Sequence, residues 1–189
     1  IATLAMGYAP FDRSAAKRHG VTLTNTVYGA QTIAQFTMAL LMDICHNVRG
    51  NSDFIKNAPD EVLSDGAFFN PINRQIELYG KTMGIIGIGL VGLWVAGMAQ
   101  SFGMNVIASS RHKKEGPEYE FIEQVSSDEV LARADVISLN CSANPSTEHI
   151  INTESINKMK DGAIIINTSR GSLIDEAALA DALKIGKLY

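Results

Sequence analysis

No apolar run in this 189-residue sequence reaches the ~18 residues that a membrane-spanning helix requires, which argues against a membrane protein. Cysteine is scarce. Cys45 and Cys141 are the only two, and their wide separation fits neither zinc-ligand spacing nor a disulfide framework. They read instead as buried thiols of a reducing cytoplasm, with no metal site implied. Positive charge is also short: 16 Lys and Arg stand against 20 Asp and Glu, and the net charge of −4 argues against a general nucleic-acid binder. A signal peptide is lacking, and so is an initiating methionine. The chain opens on Ile1-Ala2-Thr3-Leu4-Ala5-Met6, which reads like the interior of a strand, and closes on Gly186-Lys187-Leu188-Tyr189, where another strand is expected. Both ends look cut, so the expectation is a fragment of a longer protein. Internal repeats and low-complexity tracts are absent.

What remains is an ordinary α/β composition, 46% hydrophobic and 19% charged, in a length that suits one domain or one domain plus a piece of another. The most informative stretch is Lys81-Thr82-Met83-Gly84-Ile85-Ile86-Gly87-Ile88-Gly89-Leu90-Val91-Gly92. A buried strand runs into G-x-G-x-x-G and then into a helix from Val91 to Phe102. Glycines alone are weak evidence, but strand, glycine turn and helix together make a phosphate cradle. Gly87 allows the tight turn, Gly89 lets main chain approach a pyrophosphate, and Gly92 lets the helix pack on the strand. The helix N–H groups and dipole then face the anion. The competing reading is a tight βα turn without a ligand.

Around this motif the pattern alternates. Strands are expected at Ile1 to Met6, Val21–Thr24, Thr82–Ile86, Asn105–Ser109, Val136–Leu139 and Ala163–Asn167. A short helix spans Phe11 to His19, with Asp12 as N-cap and Gly20 as stop. A long helix from about Ala30 to Val48 carries Ile33, Phe36, Thr37, Leu40, Leu41 and Ile44 on its expected buried stripe. Residues 50–80 are less regular, with a short helix near Asp53 to Asn57 and breaks at Pro59, Gly66 and Pro71. Further helices follow at Ser127–Ala132, Thr153–Met159 and Asp175–Lys184. Strands such as Ala163-Ile164-Ile165-Ile166 are apolar on both faces, as a parallel sheet under helices requires. The fold class is therefore α/β, a doubly wound parallel sheet of Rossmann type.

The second strand of such a fold normally ends in an acid that binds the adenosine ribose of NAD. Here Ser110 occupies that place, 18 positions after Gly92, and Arg111, His112, Lys113 and Lys114 follow. Serine does not repel a 2′-phosphate, and Arg111 can pair with it or stack on adenine. The cofactor reading is NAD or NADP, with NADP favoured. Lys113 and Lys114 read as a solvated turn. A second constellation, Asn167-Thr168-Ser169-Arg170-Gly171-Ser172-Leu173-Ile174-Asp175-Glu176, lies at the C-terminal end of a buried strand, where ligands bind in open α/β sheets. The Arg170 guanidinium can grip a carboxylate or keto oxygen with two parallel hydrogen bonds. The plainer alternative is an arginine that caps carbonyls at a strand end.

The glycine loop, Ser101-Phe102-Gly103-Met104-Asn105-Val106, Ala134-Asp135-Val136-Ile137-Ser138-Leu139 and the run from Met159-Lys160-Asp161-Gly162-Ala163 to Asp175-Glu176-Ala177-Ala178-Leu179 resemble, in order and spacing, the D-isomer-specific 2-hydroxyacid dehydrogenases. Gly20 to Thr26 and the helix containing Gln35 extend the likeness over nearly the whole chain. Ile44-Cys45-His46 and Glu77 to Gly84 lean towards the glycerate dehydrogenase (hydroxypyruvate reductase) branch. The resemblance implies an NAD(P)-dependent oxidoreductase that transfers hydride between the cofactor and a small 2-keto or 2-hydroxy acid, with hydroxypyruvate or glyoxylate as the expected substrate.

By that resemblance Arg170 is the catalytic arginine and holds substrate. Leu90 and Val91 lie at the pyrophosphate turn, Cys141, Thr168 and Ser169 line the cofactor, and main-chain N–H groups of Met6 and Gly7 meet the substrate carboxylate. Residues 1–25 are then the tail of a flavodoxin-like substrate domain and residues 26–189 the cofactor domain. The long helix packs against a second subunit in a homodimer. The family's proton-transferring histidine and its glutamate lie beyond Tyr189; His19, His46, His112 and His149 read as solvated or packing residues, so this stretch alone is expected to bind nucleotide weakly without turnover. Asn140, Ser142, Ala143, Leu90, Gln35 and Val27 depart from the family pattern. An alternative on the same fold is a nucleotide-sensing, co-repressor-like regulator, and a further one is an inactive paralogue.

Overall fold

The computed structural model describes residues 1–4, 7, 11–26, 29–60, 62 and 75–189. The chain forms two compact units, Ile1–Ala30 and Gln31–Tyr189.

In the first unit, β1 (Ala2–Thr3) and β2 (Thr24–Asn25) pair in parallel, Ala2 opposite Thr24 and Thr3 opposite Asn25. Between them runs α1 (Arg13–Arg18), and Asp12 is its N-cap, accepting from the Ala15 N–H at 2.9 Å. The paired segments are shorter than the strands expected at Ile1 to Met6 and Val21–Thr24. Met6 lies outside the described residues.

The second unit opens on α2 (Ala30–His46) and α3 (Val48–Asn57). The expected long helix thus ends at His46 rather than at about Val48, and the short helix expected near Asp53 to Asn57 is present but starts earlier, at Val48. Asn47 between them takes φ 40° in the left-handed region, and its side chain caps α3 by accepting from the Gly50 N–H at 3.0 Å. The buried stripe of α2 also differs from the expected one. Ala30, Ala34, Thr37, Met38, Leu41 and Cys45 are buried, Ile33, Leu40 and Ile44 are half-buried, and Phe36 is 59% exposed. Nearly every face of this helix carries apolar residues, so periodicity alone left its rotation open by about one residue.

Five parallel strands follow: β3 (Thr82–Ile86), β4 (Asn105–Ser109), β5 (Glu123–Gln124), β6 (Val136–Leu139) and β7 (Ile164–Asn167), in the spatial order β5-β4-β3-β6-β7. The chain starts at the centre, steps outward twice, then crosses to the other side of β3, which is the doubly wound arrangement expected. Strand residues alternate between two layers. Met83, Ile85, Val106, Ala108, Val136, Ile164 and Ile166 pack with α2 and with α4 (Leu90–Ser101). Ile86, Ile107, Ile137 and Leu139 pack with α5 (Ser127–Arg133), α6 (Thr153–Lys158) and α7 (Glu176–Lys184). Leu188 makes a parallel bridge to Ala163 beside β7.

At the N-terminal edge of the sheet, Asp135 is more than the turn residue its position suggested. Its carboxylate accepts from the Thr82 N–H at 2.8 Å and from Lys160 Nζ at 3.0 Å. Burial works against its charge, but these donors hold the carboxyl below its ordinary pKa.

Candidate functional site

The opposite edge gathers the motifs. Strand register aligns Ser109, Ile86, Leu139 and Asn167 in one row across β4, β3, β6 and β7. Each predicted segment of this unit continues from one of those residues: Ser110 and Arg111 from β4, the glycine loop from β3, Cys141 from β6, and Thr168 to Arg170 from β7. The crevice between β3 and β6, where strand order reverses, is where open α/β sheets bind ligands.

The glycines act there through main chain. Gly87 has φ 102°, a conformation glycine tolerates best. A Cβ on it would lie 2.7 Å from Cys141 N and 2.8 Å from the Asn140 carbonyl carbon. A Cβ on Gly92 would strike the Gly87 carbonyl oxygen. Gly89 is different: a Cβ there would meet nothing within 4 Å, so the space above it is open to a ligand. Gly89 is also the N-cap of α4 and supplies no side chain, which leaves the first-turn N–H groups of Leu90, Val91 and Gly92 for another acceptor. Beside them, the buried Asn140 Oδ1 has no hydrogen-bond partner among the described residues. Burial pushes the Cys141 thiol above its ordinary pKa, so it is neutral at pH 7.

The loop after β7 is held from several sides. Asn167 Oδ1 accepts from the Ser169 N–H at 2.9 Å, and its Nδ2 donates to the Arg170 carbonyl at 2.8 Å. Ser169 Oγ donates to the Leu139 carbonyl at 2.9 Å, tying the loop to the end of β6. Thr37, fully buried on α2, donates its one hydroxyl proton to the Ile33 carbonyl, so the Thr168 hydroxyl, 2.9 Å away, is the donor to Thr37. Arg170 is exposed and gives one Nη1 bond to the Ser169 carbonyl at 2.9 Å; its other donors have no partner among the described residues. At the β4 end, the Ser110 hydroxyl donates to the His112 carbonyl at 2.6 Å, and Arg111 is exposed.

The cradle and uncapped helix fit a dinucleotide, and the match to known proteins decides the family. Residues 38–189 match the model of the D-isomer specific 2-hydroxyacid dehydrogenase, NAD binding domain. The chain belongs to this family. It is 43% identical over 190 residues to hydroxypyruvate reductase of Blautia hydrogenotrophica, covering all of this chain and 58% of that protein. It is 37% identical over 191 residues to hydroxypyruvate reductase of Thermotoga maritima, covering all of this chain and 59% of that one. The apo-structure of D-lactate dehydrogenase from Escherichia coli superposes with a TM-score of 0.86 at 29% identity, over all of this chain and 57% of that structure. The chain thus spans somewhat more than half the length of these relatives. None of the three is named as a regulator.

In this family member the sequence motifs located the sheet edge, but not the side chains that hold its loops. Thr37 was read only as part of an apolar stripe; a hydroxyl at a core position was the available sign. Gly7 belongs to the first unit, and Met6 is not described. No helix among the described residues is long and apolar enough to cross a membrane.

Proposed function

We propose that the parent protein is an NAD(P)-dependent D-2-hydroxyacid dehydrogenase acting on a small 2-keto acid such as hydroxypyruvate or glyoxylate. The observation that carries this reading is the single row at which four strands end, with the phosphate cradle at its centre and Arg170 along the same edge. Gly87, Gly89 and Gly92 shape the cradle, and Leu90 and Val91 offer N–H groups to the diphosphate. Cys141, Thr168 and Ser169 border the nicotinamide half. Arg170, with its unspent donors, binds substrate carboxylate and carbonyl and draws charge from the carbonyl as the 2-position is reduced. The bound cofactor supplies the hydride. Met6 and Gly7 offer N–H groups to the substrate carboxylate, with residues 1–25 belonging to the substrate domain and residues 26–189 to the cofactor domain.

NADP is favoured over NAD because no carboxylate stands at Ser110 and Arg111 follows it. A second copy packs against α2, a role that the exposed Phe36 supports, and the protein works in the cytoplasm, where unpaired thiols persist.

A hydride-transfer assay on the full-length protein tests the reading. Arg170→Lys keeps charge but loses the bidentate fork, so kcat/KM should fall about 100-fold while nucleotide affinity holds. A fall in nucleotide affinity with kcat intact would refute the assignment of Arg170. Ser110→Asp should move preference towards NADH, and an unchanged NADPH-to-NADH ratio would refute the account of that position.

A further inference from the structure

The turn after β4 is held by a side chain that lies outside the glycine loop and the Arg170 loop. Gln124 is the last residue of β5 and pairs with Ala108 in β4. Its amide reaches back along the chain to Lys114. Oε1 accepts from the Lys114 N–H at 2.8 Å, and Nε2 donates to the Lys114 carbonyl at 2.7 Å. One primary amide thus satisfies both main-chain groups of a single residue, as a neighbouring strand would. Only Asn and Gln carry a donor and an acceptor side by side in this way. At the other end of the turn, Ser110 Oγ donates to the His112 carbonyl at 2.6 Å. The basic stretch Arg111 to Lys113 is therefore bracketed, and all three of its side chains are exposed. Neither Arg111 nor Lys113 forms an ion pair among the described residues.

A loose basic turn would have to lose backbone freedom before it could hold a doubly charged anion, and that loss would subtract from affinity. A turn fixed in advance loses less. We propose that Gln124 is a positioning residue for cofactor choice: by clamping the Lys114 main chain, it presents Arg111 to Lys113 in a shape ready for the 2′-phosphate of NADP. The inference rests on the NADP reading above and deepens it, because discrimination then depends on a neutral side chain that touches neither phosphate nor ribose.

The test uses the full-length protein and its Gln124→Met variant, which keeps the length of the side chain and removes both bonds. Each is titrated calorimetrically with 2′,5′-ADP and with 5′-AMP, which differ in the 2′-phosphate. The wild type should bind 2′,5′-ADP more tightly. In the variant that affinity should drop about tenfold, as expected for two lost hydrogen bonds, while 5′-AMP affinity changes less than twofold. In steady-state assays KM for NADPH should rise, with kcat and the KM for NADH unchanged. Without any substitution, hydrogen exchange of the wild-type Lys114 amide should be slower than at Arg111 or Lys113, and equal exchange would overturn the clamp. A wild type that prefers 2′,5′-ADP, with a variant that keeps the same ratio or loses both ligands equally, overturns the role of Gln124 alone. A wild type with no preference overturns the NADP reading, and this inference with it.

Discussion

Two glycines of the turn between β3 and α4 separate folding from binding. Gly92 has no room for a Cβ, which would meet the Gly87 carbonyl, whereas the Cβ of an alanine at Gly89 would enter open space at a backbone φ of −85°. Gly92→Ala should therefore destabilise the fold by about 2 kcal/mol or more, since neither strand nor helix can back away from main chain cheaply. Gly89→Ala should cost less than about 1 kcal/mol of stability, the usual range for a changed cap residue. Its nucleotide affinity should nonetheless fall about tenfold, equivalent to ~1.4 kcal/mol. Thermal melting and nucleotide titration of the two variants check this; equal melting temperatures would refute the steric account of Gly92. Both roles were legible in the sequence because they depend on main chain, and a glycine announces its main-chain job. The Ser110 hydroxyl bond to His112 was not legible, since nothing in Ser-Arg-His says which way a small hydroxyl turns.

Helix α2 shows where periodicity runs out. Its residues alternate among Ile33, Ala34, Phe36, Met38, Ala39, Leu40, Leu41 and Met42 with few polar markers, so several rotations bury a comparable apolar stripe. The structure selects the one that sets Ala34 and Met38 against the core and turns Phe36 outward, because small residues permit close approach to neighbouring elements. The start of α5 was readable: the helix expected from Ser127 begins there, and Ser126 and Glu129 form a capping box before it, an S-x-x-E signal plain in the sequence. Strand β5, two residues long, carries no pattern to read. The rotation of α2 also brings Thr37 to Thr168, linking this helix to the Arg170 loop. Thr37→Val keeps the shape and deletes the hydroxyl, leaving Thr168 without its acceptor. Stability should fall by about 1 kcal/mol, and turnover should fall while 5′-AMP affinity holds. Unfolding in urea and steady-state assays measure the two effects, and an unaltered turnover would sink the coupling between helix and loop.

The sheet joins its functional edge to a structural one, which Asp135 ties together. Exposed pairs such as Lys184 with Asp181 contribute little to stability in water. Asp135 is better placed: its carboxylate bridges the first residue of β3 and Lys160, ahead of β7, while its own N–H and carbonyl bond to Thr82 and Ile164. Strand order could be inferred from the alternation of strands and helices, but this tie could not, because it depends on the register that sets Met83 opposite Val136. The bound donors lower the folded-state pKa of Asp135 despite its burial. A carboxylate with a depressed pKa stabilises the fold above its unfolded pKa, and the contribution disappears as pH falls through the folded value. Asp135→Asn should therefore cost about 1 kcal/mol at pH 7 and the same at pH 5, where the wild-type group is still ionised. By pH 3, below the ordinary carboxyl pKa, the gap should begin to narrow, because the unfolded wild type gains its proton first and the folded group follows further into acid. Urea midpoints of both proteins at these three pH values give the answer: a gap that stays constant into acid would mean that the charge of Asp135 does not hold this edge together.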